Sequence, residues 1–205
     1  MSIEQNNDSS VDLKRRRILT GVTGVVGAAG ATFLAVPFVS SWQPSEKAKA
    51  AGAPVNADIS KLQSGQMLTV EWRGKPVWIV RRTPEMLAGL PALDGDLRDP
   101  ASNESDQPAY CQNATRAVKE EYLVVVGVCT HLGCAPLYRP AIGSPDVSAD
   151  WQGGFFCPCH GSRFDLAGRV FKSVPAPTNL EIPPYHFIND SIVRIGEGPT
   201  AGGAA

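Results

Sequence analysis

The chain has almost no net charge, few histidines and cysteines, and a single long apolar run. Its 205 residues carry 19 Lys and Arg against 20 Asp and Glu, a formal net charge of −1. No basic excess is left to neutralise a phosphate backbone, so nucleic-acid binding is excluded as a main activity. Only Ile18 to Ser40 runs uncharged for long enough, at about 1.5 Å per helical residue, to cross a core of about 30 Å. That gives one transmembrane helix and no bundle. Roughly 150 residues remain beyond it, enough for one domain with its own core.

Scarcity makes the placement of the reactive residues informative. Cys129-Thr130-His131-Leu132-Gly133-Cys134 and Cys157-Pro158-Cys159-His160-Gly161-Ser162 hold four of the 5 cysteines and two of the 3 histidines. A structural zinc site also takes two Cys and two His, but its usual spacing pairs like with like, Cys-x-x-Cys and His-x-x-x-His. Here Cys and His alternate in both segments. The pattern resembles a Rieske 2Fe-2S site, in which each of two loops supplies one thiolate and one imidazole. On that resemblance Cys129 and Cys157 hold one iron, and His131 and His160 hold the other. Cys134 and Cys159 are then unassigned, and a disulfide between them would tie the loops together. Two ferric irons, two sulfides and two thiolates sum to zero charge, against minus two with four thiolates. Reduction is correspondingly easier, roughly −150 to +300 mV against about −400 mV for plant-type ferredoxins. A ferric ion on one imidazole nitrogen also acidifies the N–H at the other, so reduction and proton uptake are coupled.

The resemblance extends further. The two boxes, the run Arg163-Phe164-Asp165-Leu166-Ala167-Gly168-Arg169-Val170 and the segment Val174-Pro175-Ala176-Pro177 are similar to the Rieske iron-sulfur subunit of quinol-cytochrome c reductase, the cytochrome bc complex. The resemblance implies a mainly β protein with one N-terminal transmembrane helix, a flexible hinge, and an antiparallel Rieske domain carrying a small cluster-binding subdomain. It implies one 2Fe-2S cluster on Cys129, His131, Cys157 and His160, a disulfide of Cys134 with Cys159, and a Ser162 hydroxyl bonded to a bridging sulfide. Leu132 would pack at the quinone-facing surface, and His160 would be the catalytic imidazole that meets the quinol and takes its proton. The implied partners are cytochrome b and a c-type cytochrome in a dimeric complex, without which the chain is not an active enzyme. Two positions depart from the family pattern. Val174 stands where the proline loop usually has Gly, and Phe164 where ubiquinol-using relatives have a Tyr bonded to the sulfur of the first cysteine ligand, here Cys129. Rieske ferredoxins and ring-oxygenase domains share the ligation but lack the extra cysteine pair and are soluble. Membrane-tethered relatives, such as an arsenite oxidase small subunit or the Rieske subunit of a cytochrome b6f-type complex, are closer alternatives.

The N-terminus carries its own argument. Lys14-Arg15-Arg16-Arg17 precedes the apolar run and no comparable basic run follows, which places the first residues in the cytoplasm and the domain across the membrane. The arginines followed by Ile-Leu resemble a twin-arginine signal, whose machinery exports folded proteins. Ala48-Lys49-Ala50 offers a cleavage pattern, but the apolar run exceeds an h-region of about 7 to 15 residues, so a retained anchor is expected. Glu4, Asp8 and Asp12 argue against a mitochondrial presequence and for a bacterial inner membrane, with the domain in an oxidising periplasm that suits a disulfide. Gly21, Gly24, Gly27 and Gly30 recur every third residue, either as a helix-packing face or as a way of keeping the run weakly apolar. The expected organisation is a cytoplasmic signal at 1–17, an anchor at 18–40, a hinge at 41–56, a Rieske domain at 57–198 with its cluster subdomain at about 127–178, and a disordered tail at 199–205.

Within the domain, Met67 to Trp72 and Lys75 to Val80 flank Arg73-Gly74 and predict a hairpin. Thr83 and Pro84 predict the cap and first position of a short helix reaching Leu90. Asp94 to Pro108 is expected as a long surface loop, Tyr122 to Val128 as a buried strand delivering the first cluster loop, and Ser191 to Ile195 as a last strand. Ser45 to Asn56 lacks an apolar pattern and is expected as a tether without stable structure. Cys111 is read as a free thiol with no role, and His186 as a structural histidine.

Overall fold

The computed structural model describes residues 12–199. The first residues of the signal and all but the first residue of the expected tail lie outside the described residues. The chain divides after Lys49 into two units. The first is built on one helix, α1 (Leu13–Ser40), which is apolar and long enough to cross a membrane. Asp12 caps it, its carboxylate accepting from the Lys14 and Arg15 N–H groups at 3.0 Å each. The helix thus starts ahead of the apolar run and takes the basic residues into its first turns. The hydroxyls of Thr20 and Thr32 donate back to the carbonyls of Arg16 and Ala28, at 2.8 and 2.9 Å. Neither is left with an unpaired polar group in hydrocarbon.

One sequence expectation fails here. The segment read as an unstructured tether carries a short helix, α2 (Glu46–Ala51), and its end already belongs to the first strand, β1 (Val55–Asp58). Ala, Lys and Glu are good helix formers. The Ser45 hydroxyl accepts from the Ala48 N–H at 3.2 Å, and Lys49 pairs with Glu46 at 2.7 Å.

The second unit contains three small antiparallel sheets. β1 pairs with β9 (Ile192–Ile195), which pairs with β8 (Tyr185–Asn189). A second sheet joins β2 (Met67–Trp72), β3 (Lys75–Arg81) and β4 (Tyr122–Val126). The predicted hairpin is present, with Arg73 and Gly74 at φ 52° and 70°, the two positive values that a type I′ turn requires. Every residue of β4 is buried, as are Val77, Ile79 and Val80 of β3, so this sheet forms the centre of the core. Helix α3 (Pro84–Gly89) follows with Thr83 as its cap, the hydroxyl accepting from Met86 N–H at 3.3 Å. The third sheet, β5 (Leu137–Arg139), β6 (Gly154–Cys157) and β7 (Ser162–Phe164), carries the second cysteine-histidine loop. Its Phe155 ring stacks on Trp78 of β3 at 5.3 Å, joining this sheet to the core.

The expected surface loop at 94–108 is partly interior. Asp94 to Asp96 end a 3-10 turn, and Leu97, Asp99 and Ser102 are buried. Polar composition concealed this because the buried groups are satisfied locally. The Asp99 carboxylate accepts from the N–H groups of Asn103 and Glu104 and from the Ser105 hydroxyl, at 2.8 to 3.0 Å.

Candidate metal centre

Both candidate loops are held by short-range backbone bonds. The first leaves β4 through Gly127, where any Cβ would collide with the Trp78 ring, so only glycine fits this approach. It then closes on itself, with Cys129 N–H donating to Cys134 O at 2.7 Å and Gly133 N–H to Cys129 O at 3.0 Å. The second is the hairpin connection of β6 to β7. Cys157 pairs with Ser162, and Gly161 N–H donates to Cys157 O at 2.9 Å.

The loops bring the predicted residues together in two layers. Cys129 and Cys157 are buried and carry free thiols, at 3% and 2% exposure. His131 is half-buried and His160 exposed, and their rings meet edge to face with centroids 4.8 Å apart. Leu132 is 71% exposed beside them. Cys134 and Cys159 are joined in a disulfide with a Cα separation of 6.7 Å, inside the usual range.

The donor set suits a metal. Burial pushes the Cys129 thiol up and Cys157 beside it adds to this, while the His131 backbone N–H and the Ser162 hydroxyl pull the other way by favouring the thiolate. The buried Cys129 thiol therefore holds its proton until a cation displaces it. Cys134, Cys157 and Cys159 have sulfurs within 4.8 Å of one another. The disulfide takes up two of them and leaves Cys157 as the free sulfur among these three. Two buried thiols behind two neighbouring imidazoles fit the four protein ligands of a 2Fe-2S cluster bound by two Cys and two His.

A third segment staples both loops, through contacts that sequence reading missed. The Thr130 hydroxyl donates to Thr178 O at 2.7 Å, and Ala176 N–H donates to the Ser162 hydroxyl at 3.1 Å. Asn179, also buried, accepts from Val170 N–H at 2.8 Å and donates to Asp99 O and Ser102 Oγ. Beneath this lies a second unpredicted feature, the buried arginines Arg82, Arg116 and Arg169. They converge on one turn after β7. Arg82 donates to Leu166 O, Arg116 to Ala167 O and Gly168 O, and Arg169 to the Asp165 carboxylate at 2.7 Å. Nothing in the sequence signals this, since most arginines lie at the surface. The two remaining residues of interest lie elsewhere. Cys111 is buried 3.8 Å from the Tyr185 hydroxyl, and His186 on β8 shares a hydrogen bond with Glu197 O at 3.1 Å. Each is accounted for by packing.

Comparison with known proteins finds iron-sulfur relatives along most of the chain. The Rieske [2Fe-2S] domain family matches residues 53–185, and the family described as "Ubiquitinol-cytochrome C reductase Fe-S subunit TAT signal" matches residues 5–45. The ubiquinol-cytochrome c reductase iron-sulfur subunit of Allochromatium vinosum is 61% identical, over 91% of this chain and 90% of its own length. The corresponding subunit of Blastochloris viridis is 43% identical over 94% and 98%. The mitochondrial Rieske subunit of the cytochrome b-c1 complex of Solanum tuberosum is 43% identical over 87% of this chain and 60% of its own length. With its apolar helix and matched export signal, the protein is membrane-anchored. The chain belongs to the Rieske [2Fe-2S] family, among the iron-sulfur subunits of ubiquinol-cytochrome c reductases.

Proposed function

We propose that this chain accepts the first electron of a quinol in a quinol-cytochrome c oxidoreductase, with Cys129, His131, Cys157 and His160 as the cluster ligands. The observation that supports this reading is the layering of the donors, with both thiols buried and the His160 ring exposed. When bound, the cluster supplies a one-electron acceptor whose potential is raised by two neutral imidazoles in place of two thiolates.

The chain's own residues do the rest. The exposed His160 ring presents its outer nitrogen to solvent or to a quinol hydroxyl, and that nitrogen holds the proton released on oxidation. Leu132, exposed at the same tip, packs against the partner that carries the quinol and keeps water from the contact. The Thr130 and Ser162 hydrogen bonds to the 174–178 segment hold both loops in place, and the Cys134–Cys159 bond closes them at the surface. The anchor at 18–40 stays in the membrane, residues 41–56 act as the hinge despite helix α2, and the domain at 57–198 works in the periplasm. Cytochrome b binds the quinol and takes its second electron, and a c-type cytochrome is the final acceptor in a dimeric complex. The chain alone completes no turnover.

Purification through a tag on this chain, from gently solubilised membranes, tests the reading. The preparation should contain b-type and c-type haem and reduce cytochrome c when given a quinol. Recovery of the chain with its EPR signal but without b-type haem and without quinol oxidation would contradict it.

A further inference from the structure

We infer that loss of iron lets Cys157 exchange into the neighbouring disulfide, leaving Cys134 bonded to Cys157 and Cys159 free. The inference rests on the reading of Cys157 as a cluster ligand. Its carrying observation is the grouping of three sulfurs, those of Cys134, Cys157 and Cys159, all within 4.8 Å of one another. Two of them form the disulfide and the third is a free thiol.

The step balances without an oxidant or reductant. The Cys157 thiolate attacks Cys134 Sγ, the Cys134–Cys159 bond breaks, and its electron pair leaves on Cys159, which takes up the proton that Cys157 gave up. Direction follows from the surroundings of the two disulfide sulfurs. Cys159 is exposed, so its leaving thiolate is solvated, whereas Cys134 is half-buried. Attack on Cys159 instead would close a ring of Cys157, Pro158 and Cys159 around a proline whose φ is fixed. The new Cys134–Cys157 bond still ties the first loop to the second.

Iron gates this chemistry, because a sulfur bonded to iron is not available as the nucleophile. The consequence is a latch. An exchanged chain has lost a ligand, and reloading waits until the reverse attack by Cys159 or a dithiol reductant frees Cys157.

Disulfide mapping of the full-length, cluster-loaded protein tests this. It is incubated without oxygen at mildly alkaline pH, with or without a chelator that removes the iron. Each sample is quenched in acid, denatured, labelled with a maleimide and digested, and tandem mass spectrometry separates Cys157 from Cys159. With iron retained, the Cys134–Cys159 bond should persist and Cys157 should carry label. After iron removal the label should move from Cys157 to Cys159, a Cys134–Cys157 cross-link should appear, and reloading with iron and sulfide should be slower without a dithiol than with one. Retention of Cys134–Cys159 after iron removal overturns the exchange while leaving Cys157 as a ligand. Equal exchange in the loaded protein overturns both the gating and the ligand role.

Discussion

Replacing Ser162 by Ala should lower both the reduction potential of the cluster and the stability of the domain, for separable reasons. Ser162 is fully buried, and its oxygen accepts the Ala176 N–H at 3.1 Å in equally buried surroundings. That leaves the hydroxyl hydrogen free to donate, and the Cys129 sulfur lies beside it. Alanine orphans the Ala176 N–H, which costs about 1–3 kcal/mol. For a domain of this size that is a fall of roughly 3–9 °C in melting midpoint. The lost donor acts on the potential because a hydrogen bond to the sulfur is stronger in the reduced cluster, which carries one more negative charge. A hydrogen bond to a charged group contributes about 1.5–3 kcal/mol. If about 1 kcal/mol of that distinguishes the two oxidation states, the potential falls by roughly 40 mV, since a tenfold change in equilibrium corresponds to about 59 mV for one electron. Redox titration followed by circular dichroism reads the first effect and thermal melting of the oxidised protein the second. A lowered melting point with an unchanged potential would refute the electrostatic half and leave Ser162 as a staple for the 174–178 segment.

Four further outcomes are expected. Phe164→Tyr, at a position that is fully buried next to the second loop, should raise the potential by about 50 mV if the new hydroxyl reaches the Cys129 sulfur, and no rise in a redox titration would mean that this position does not tune the cluster. Cys134→Ser or Cys159→Ser keeps the four proposed ligands but should weaken the cluster's hold, since losing a native disulfide costs about 2–5 kcal/mol of folding stability, and unchanged EPR amplitude after heating would contradict this. The potential should fall as pH rises through the alkaline range, because the oxidised form then releases protons that the reduced form keeps. A potential independent of pH would sink the role given to His160. At Asp99, burial opposes the charge, but the Glu104 and Asn103 N–H groups, the Ser105 hydroxyl and Arg116 outweigh it and hold the carboxyl below its ordinary value. Its stabilising contribution is present above about pH 4 and is lost as pH falls through the lower folded value, so Asp99→Asn should lower the melting point at neutral pH and flatten its acid decline.

The parts legible in the sequence were those whose chemistry is local. Alternating Cys and His fix the two loops, an uncharged run fixes α1, and Arg73-Gly74 and Thr83-Pro84 fix a turn and a cap within a few residues. What was not legible depends on partners far away in the chain. Arg82 meets Leu166, Arg116 meets Gly168, and Asn179 meets Asp99 across separations of 84, 52 and 80 residues. A lone sequence marks none of them, and an Arg82 beside Arg81 looks like surface charge. The same holds for Leu97 and Ser102, which are buried inside a stretch whose composition reads as a loop. Helix α2 was missed for the opposite reason, since it is made by propensity and an Glu46–Lys49 pair, with no apolar stripe to reveal it.

Everything proposed for this chain depends on the ligand set. The most direct measurement is EPR of the purified, reduced protein combined with iron and sulfide analysis and nitrogen hyperfine spectroscopy. Two irons and two sulfides per chain are expected, in line with a 2Fe-2S site, with hyperfine coupling to two imidazole nitrogens, one from His131 and one from His160. A colourless, EPR-silent protein that binds one zinc, or a cluster without imidazole coupling, would contradict it.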